Sequence, residues 1–495
     1  MSPEIFKYLI CSLFVFATFY LSYVGMKKTK SLKGFSIGNK DMSPIMIGIT
    51  MAASISSTAT FVINPGFVYV HGLSAYLHYG VAASLGIVSA FLLLTRGFRK
   101  LGESQGSMTI PDWIFHRYKH RGLAFFFALI NLLSITFVVL ILVGCSMLMS
   151  SLFGMDQKMA LIVTLLFVFS YVLMGGTYAH AYTNSFQGVM MVMISLFLFV
   201  QGLDAFDGGF FSSLQTVSAN YASVYNPESA LYYNFFSVFL SAFLITFALM
   251  FQPHILTKIL YLKEDKDVNK FIATTFIVGM IFSLMLFVGF YARLGGLEVA
   301  SQDAVVTTYI FQEFNTTAWG PYFLVFVTLT LLAAGMSTLD GILVSLSAMV
   351  VNDLYMPIAR LKAQNEAELE ALTGKGLALS RWVLIGVGLI AFAVAWNPPA
   401  FVGLFAQKGV YGLAAASLVP ILFGVLLEKA LPVWTIFTAA IIGLFGHLGL
   451  HLFMGVANPS VSSGISMIVS LIFTTLVWLF LRAKNPAYKA TKLAV

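Results

Sequence analysis

About a dozen stretches of this chain approach the ~20 consecutive apolar residues that a helix needs to cross the hydrocarbon of a bilayer. Inside lipid every backbone N–H and C=O must find its partner within the element, so apolar runs of that length are helices. Hydrophobic residues make up 59% of the 495 and charged residues only 10%, which excludes a soluble globular protein. Pro and Gly recur within the apolar runs, as membrane bundles tolerate and soluble helices do not. Thirteen spans are expected, at roughly 5–24, 43–62, 72–95, 122–152, 159–175, 185–203, 233–254, 271–293, 320–350, 380–396, 402–427, 432–454 and 461–481. The chain reads as an all-α integral membrane protein.

Charge sets the orientation. With the N-terminus outside and the C-terminus cytoplasmic, all but four of the 28 Lys and Arg fall in inner loops or the tail; the exceptions are Lys7, Lys158, Arg293 and Lys408. Such a bias follows the positive-inside rule of a multi-pass protein of the cell inner (plasma) membrane. The net charge of +8 therefore reflects topology and contact with anionic lipid headgroups, and no soluble basic face offers itself to nucleic acid. Met1–Lys7 lacks a cationic cluster, whereas Lys27, Lys28 and Lys30 follow the first apolar run, the pattern of a retained helix. Cys11 and Cys145 both lie inside spans and suggest neither a disulfide nor a metal site. The hydrophilic pieces near 96–121, 204–232, 294–319 and 352–379 are too short for a separate core, and Gln364–Leu372 reads as a surface helix. The short tail with Lys484, Lys489 and Lys492 leaves no room for a signalling module, and no P-loop pattern supplies ATP.

Two spans look interrupted. Met51-Ala-Ala-Ser-Ile-Ser-Ser-Thr-Ala-Thr60 concentrates small and hydroxylated residues in the second, ahead of Asn64-Pro-Gly66, and Phe251-Gln-Pro-His254 breaks the seventh. They lie five spans apart and enter from opposite sides, as the broken helices of an inverted-repeat transporter do. Residues 43–203 and 233–427 would be the two repeats of a single domain covering 1–495, with 5–24 an extra N-terminal helix and 432–481 two C-terminal ones. In span 9, Asp340 is the one acid of 20 that no placement moves out of the hydrocarbon. An ionised group there costs at least about 2.5–3.5 kcal/mol and faces a partner or a water-filled path. Ser337 and Thr338 stand beside it with hard oxygen ligands of the kind alkali ions take.

Four motifs in order resemble the sodium:solute symporter family, which includes sodium/proline, sodium/pantothenate and sodium/glucose symporters. They are Ala52-Ala-Ser-Ile-Ser-Ser-Thr58, Gly175-Gly-Thr-Tyr-Ala-His-Ala-Tyr-Thr-Asn-Ser-Phe-Gln187, Gln252-Pro-His-Ile-Leu256, and Ala333-Ala-Gly-Met-Ser-Thr338 with Asn352-Asp-Leu-Tyr355. The resemblance implies a leucine-transporter-like 5+5 inverted repeat and sodium-driven uptake of a small organic solute by alternating access. It implies sodium (Na+) ligation by the carbonyls of Ala52, Ile55 and Ala334 and the hydroxyls of Ser337 and Thr338. Five neutral oxygens replace hydration without trapping the ion. The competing reading is that both hydroxyls bond back to their own helix or a neighbour.

The second motif departs from the family's Thr-Asp by reading Thr183-Asn184. Either Asp340 takes over part of the missing acid's role at a second cation site with Asn184 as neutral partner, or it sits in a backbone and water network. By analogy, Ser54, Ser57 and Thr58 with Phe251 and Gln252 would meet the solute, an amino acid, a short carboxylate or a vitamin-like molecule. Lys408 with Gln407 either faces an anionic solute or snorkels to the interface. His447 and His451 are one helical turn apart, a metal-compatible spacing that no carboxylate or cysteine accompanies, so helix packing is expected. No base–nucleophile pair or metal cluster supports an enzyme. The alternatives to symport are a transporter-like sensor with a separate signalling partner and an uncoupled uniporter.

Overall fold

The computed structural model describes residues 1–315, 317–399 and 401–491, so Lys492 of the basic tail and the last residues of the expected domain lie outside the described residues. Among the described residues the regular structure is helical, apart from one isolated bridge between Leu427 and Ala490. Eleven helices are long and apolar enough to cross a membrane, and two bent pairs bring the spans to thirteen. In chain order these are span 1 (Pro3–Lys28), span 2 (Pro44–Ile55 with Ala59–His71), span 3 (Leu73–Gln105), span 4 (Arg121–Phe153), span 5 (Gln157–Met174), span 6 (Gly176–Phe206) and span 7 (Phe236–Leu249 with Pro253–Tyr261). Span 8 (Asp267–Leu294), span 9 (Gly320–Lys362), span 10 (Gly376–Ala395), span 11 (Val402–Leu426), span 12 (Val433–Leu452) and span 13 (Pro459–Lys484) follow. The surface helix near 364–372 forms as Glu366–Gly374.

Both interruptions are real bends, of 56° in span 2 and 63° in span 7. Their causes differ. In span 7 the ring of Pro253 removes a donor and forces Gln252 into the extended region, at φ −62° and ψ 144°. Span 2 has no proline at its break. There the Ser57 hydroxyl takes the Ala59 N–H at 3.1 Å, diverting a donor that a continuous helix would send to Ile55.

Several spans run on past the sequence expectation, span 2 to His71 and not 62, span 3 to Gln105 and not 95, and span 9 to Lys362 and not 350, and two further shifts alter the site. Span 6 begins at Gly176 and not near 185, so Thr177–Gln187 is buried helix where a connection was expected. The turn out of span 5 is made by Gly176 alone, at φ +53°, where a Cβ would come within 2.3 Å of the Phe35 ring. Span 7 runs on to Tyr261 and not to 254, which draws Lys258 out of the inner loop, where the charge count had put it, into the protein interior.

Span 9 is the axle of the bundle. In its most apolar stretch 78% of residues are buried, a share exceeded among these spans by the 83% of span 11 and far above the 22% of span 1 and 28% of span 10. It packs on spans 4, 5, 6 and 10, while span 8 lies along the first half of span 2 and spans 11 to 13 pack on one another. Close approach at span 9 needs Gly335, since a Cβ there would lie 2.3 Å from Cys145 Sγ of span 4 and 2.5 Å from Thr58 Oγ1 of span 2. Gly335→Ala is therefore expected to lower the melting temperature of the detergent-purified protein, overpacking costing about 1–3 kcal/mol. An unchanged melting curve would mean that spans 2, 4 and 9 are looser than this contact requires.

Candidate functional site

The break in span 2 faces span 9 at mid-span. Ser337 donates its hydroxyl to the Ala53 carbonyl at 2.9 Å and to Ala334 on its own helix at 2.8 Å. Thr338 donates to the Ser54 carbonyl at 3.0 Å. Both residues are fully buried. The Ala52 carbonyl still accepts from Ser56 N–H at 3.0 Å, so carbonyls are released just after it. Span 9 thus meets a patch of backbone that has left the helical ladder, and its two hydroxyls supply the missing donors.

Around Ser54 lies a second polar layer, also buried. The Asn184 amide donates to the Ser337 carbonyl at 2.6 Å and to Ser54 Oγ at 3.1 Å. Lys258 Nζ donates to Ser54 Oγ at 2.5 Å and to the His254 carbonyl at 3.0 Å. His180 stands between Ser54 and Asp340, its Nε2 3.5 Å from Ser54 Oγ and its Nδ1 2.8 Å from Asp340 Oδ1. Tyr171 donates to the other carboxylate oxygen at 3.4 Å. Asp340 therefore turns towards His180 and Tyr171, and among the described residues its side chain connects to Asn184 through His180 and Ser54. Lys258 and His180 were missed in the sequence. The spacing Thr177, His180, Asn184, Gln187 carries the signal for one of them: four polar residues on one helical face, all buried.

A cavity of about 190 Å³ lies against the break. Ser54, Ser57 and Gln252 line it, together with Asn64, Tyr79 and Gln407. Two residues expected beside the solute are not among those lining it. Thr58 is wedged against Gly144 and Gly335, and Phe251 packs on Phe247 in the apolar core. Among the described residues lining the cavity there is no Asp, Glu, Lys or Arg. The Gln252 side-chain oxygen is buried without a hydrogen-bond partner in the protein, an acceptor open to a solute donor.

On the Lys/Arg-rich face, ion pairs tie the ends of these elements together. Lys28 meets Asp41 at 2.7 Å and Lys40 meets Glu103 at 2.6 Å. Arg99 joins Glu103 at 2.9 Å and also pairs with Asp265, so the start of span 2, the end of span 3 and the exit from span 7 are laced into one network. Elsewhere, His447 bonds to Ser462 Oγ at 2.9 Å and to the Lys408 carbonyl at 3.0 Å, and His451 to the Val456 carbonyl at 2.8 Å. His447 thus joins spans 11, 12 and 13, His451 holds the connection that follows span 12, and no group of three metal-ligating side chains occurs among the described residues. The Lys408 side chain does not line the cavity.

The His180–Asp340 contact yields a test of its own. Asp340→Asn retains an acceptor for His180, whereas Asp340→Ala orphans a buried nitrogen, a difference of about 1–3 kcal/mol. The alanine variant should melt well below the asparagine variant in detergent; equal melting would show that the carboxylate does not carry His180.

Comparison with known proteins agrees with this layout. The model of the sodium:solute symporter family matches residues 35–443. A sodium/pantothenate symporter of Haemophilus influenzae is 26% identical over 449 residues, covering 89% of this chain and 90% of that protein. A high-affinity proline transporter of Bacillus subtilis is 25% identical over 390 residues, covering 76% of this chain and 78% of that one. Among solved structures, a Na+-coupled sialic acid symporter superposes with a TM-score of 0.76 at 16% identity, over 99% of both chains, which shows a shared leucine-transporter-like fold.

Proposed function

The chain belongs to the sodium:solute symporter family, a family of membrane transporters and not of enzymes, and we propose that it carries one small organic solute inward with sodium through alternating access in the plasma membrane. The observation that carries this reading is the contact of Ser337 and Thr338 with carbonyls released by the break in span 2. Carbonyls and hydroxyls that bond one another in a dry interior are the oxygens a sodium ion can gather. Ala334 and Ile55, whose usual helical donor is taken by Ser57, contribute carbonyls, Ala52 adds its own once the Ser56 N–H lets go, and Ser337 and Thr338 give their hydroxyl oxygens once the protons turn away from Ala53 and Ser54. Bound sodium then braces span 2 against span 9 and holds the cavity in shape for the solute. Spans 2–6 and 7–11 are the two repeats that rock about this contact, with the N-terminus outside and the Lys/Arg-rich face inside.

The cavity narrows the solute. At about 190 Å³ it is below the ~300–1,000 Å³ of drug-sized sites. With no formally charged Asp, Glu, Lys or Arg among its described lining residues, a solute carboxylate is best met by backbone N–H groups at the start of the Ala59–His71 half-helix. Gln252 accepts from an amine, amide or hydroxyl of the solute, in company with Ser54 and Ser57. Small amino acids and hydroxy- or amido-carboxylates, the range spanned by proline and pantothenate, fit this chemistry.

Proteoliposomes with an inward sodium gradient, offered labelled proline, pantothenate and short carboxylates, test the proposal directly. Accumulation of one of them in sodium but not in choline is expected; equal uptake in both would overturn the coupling. The Ser337→Ala/Thr338→Ala double variant is expected to lose sodium stimulation while remaining inserted and monodisperse. Arg99→Ala should open the inner side. A cysteine replacing Ser57 should then react faster with a membrane-impermeant reagent applied from that side, and no change in rate would remove the ion-pair network from the gate.

A further inference from the structure

The motif Asn352-Asp-Leu-Tyr355 lies about 20 Å along span 9 from Thr338, too far to touch the sodium contact. It falls in a π-helical turn, Val350–Tyr355, a local widening frequently found at functional positions. Both oxygens of Asp353 are engaged: Oδ2 accepts from Thr109 Oγ1 at 2.6 Å and Oδ1 from the Asn352 amide at 2.9 Å. Thr109 is the N-cap of the helix Ile110–Tyr118, which connects spans 3 and 4, and its oxygen also accepts the Asp112 N–H at 3.2 Å. One hydroxyl therefore starts that helix and fastens it to span 9.

The other end of the same helix holds span 11. Tyr118 donates to the Pro420 carbonyl at 2.6 Å, and Gly424 leaves room for the Trp113 ring, which a Cβ there would meet at 2.8 Å. The last carbonyls of a helix have no partner within it. At the end of span 11, Arg117 donates to those of Leu427 and Glu428, and the Thr491 N–H reaches that of Leu426 at 2.7 Å. Pro420 lacks the N–H that would continue the ladder through span 11. The cavity-lining residues of this span, Gly403, Gln407, Val410 and Tyr411, all precede that proline. Span 11 is not among the helices that enclose span 9; span 4 packs against both, and the Ile110–Tyr118 helix adds directed hydrogen bonds to each.

We propose that Ile110–Tyr118 is a crossbar through which the state of the sodium contact on span 9 sets the position of the cavity wall on span 11, with Thr109 and Tyr118 as its positioning residues. This rests on the sodium-symport reading above and adds to it a route by which the ion is felt at the solute. A cation drawn between spans 2 and 9 bears on span 9 as on a rod. The far end of the rod, at Asp353, carries the start of the crossbar, and the end of the crossbar carries Pro420. The cavity-lining part of span 11 then reorients about a point that the crossbar holds.

Sodium alone tests this, with a reporter in the cavity. In full-length protein carrying Cys11→Ser and Gln407→Cys, purified in detergent, the rate of maleimide labelling is compared in sodium and in choline; the remaining Cys145 is buried. The two rates should differ severalfold in this parent. Tyr118→Phe removes only the donor to Pro420. Thr109→Asp keeps a strong N-cap but sets a second carboxylate against Asp353. Each should move the ratio of the two rates towards one, by about two- to tenfold for one lost hydrogen bond, while Thr109→Ser retains the parent ratio. The amount of ²²Na+ bound per chain at saturating sodium should be the same in all of them. A merely structural role would shift both rates alike. An unchanged ratio in either monodisperse variant therefore overturns the crossbar, as does a parent indifferent to sodium; should Thr109→Asp not fold, Tyr118→Phe decides alone. A wild type that binds no ²²Na+ overturns the symport reading itself, and this inference with it.

Discussion

A peptide carbonyl released from its helix in the middle of a membrane has no water to turn to, and leaving it unpaired costs several kcal/mol. Span 2 releases carbonyls next to Ser56, and the architecture around them follows from that one demand. Donors must come from another helix, so span 9 brings Ser337 and Thr338. Those hydroxyls must approach backbone closely, so the residues near the contact are small: Ala52, Ala53, Ala334 and Gly335. The helix that supplies the donors must not move independently of its supports, and span 9 is accordingly enclosed by spans 4, 5, 6 and 10. A hydroxyl that satisfies a carbonyl by donating can also turn and let both oxygens face a cation. On the sodium-site reading proposed above, that turn is what would convert the hydrogen-bonded contact into an ion site.

The ionisable groups of the interior are arranged on the same logic of indirect pairing. Asp340 and Lys258 would form a direct ion pair if attraction alone decided. They are separated by His180 and Ser54, and each is surrounded by neutral hydrogen-bonding groups. A direct buried pair gains Coulomb energy but is stiff, and breaking it costs about 3–5 kcal/mol. Interposed neutral side chains distribute the field and leave the link between spans 6, 7 and 9 adjustable, each hydrogen bond being worth about 0.5–1.5 kcal/mol net.

The spans were legible because hydrocarbon thickness imposes a length that composition alone reveals. Span 4, expected at 122–152, forms as Arg121–Phe153, and span 11, expected at 402–427, as Val402–Leu426. Both bends were legible too, from hydroxyl density in one case and proline in the other. What failed was the reading of polar residues next to apolar runs. Thr177–Gln187 looked like a connection because it contains His, Asn and Gln, yet its polar residues share one helical face that points into the bundle. Lys258 was counted with the loop bases because the expected span stopped at His254. The flanking Ile255, Leu256, Ile259 and Leu260 are apolar and buried, and they were the available sign that the chain had not yet left the protein. At the site, Ser54, Ser57 and Gln252 reach the cavity while Thr58 and Phe251 do not, because Thr58 is wedged against Gly144 and Gly335 and Phe251 is packed into the apolar core, neighbours that a motif does not name.

The ion-pair network on the basic face can be weighed against what it must resist. Lys28 and Asp41 are 42% and 43% exposed, and Glu103 is 43% exposed, so their pairs are worth about 0–1 kcal/mol each. Arg99 is 6% exposed and makes the stronger contacts, but its partner Asp265 is 64% exposed and can recover hydration when it leaves. The sum is a few kcal/mol. Moving a two-state equilibrium from 1:99 to 99:1 takes about 5.5 kcal/mol, and micromolar binding of a solute supplies about 8 kcal/mol. On the alternating-access reading proposed above, a lock of this strength would keep that face closed in an unloaded protein and still yield to differential binding at the span 2 and span 9 contact. Were the same charges buried as deeply as Lys258, breaking them would consume most of the binding energy, and the protein would hold its solute without releasing it.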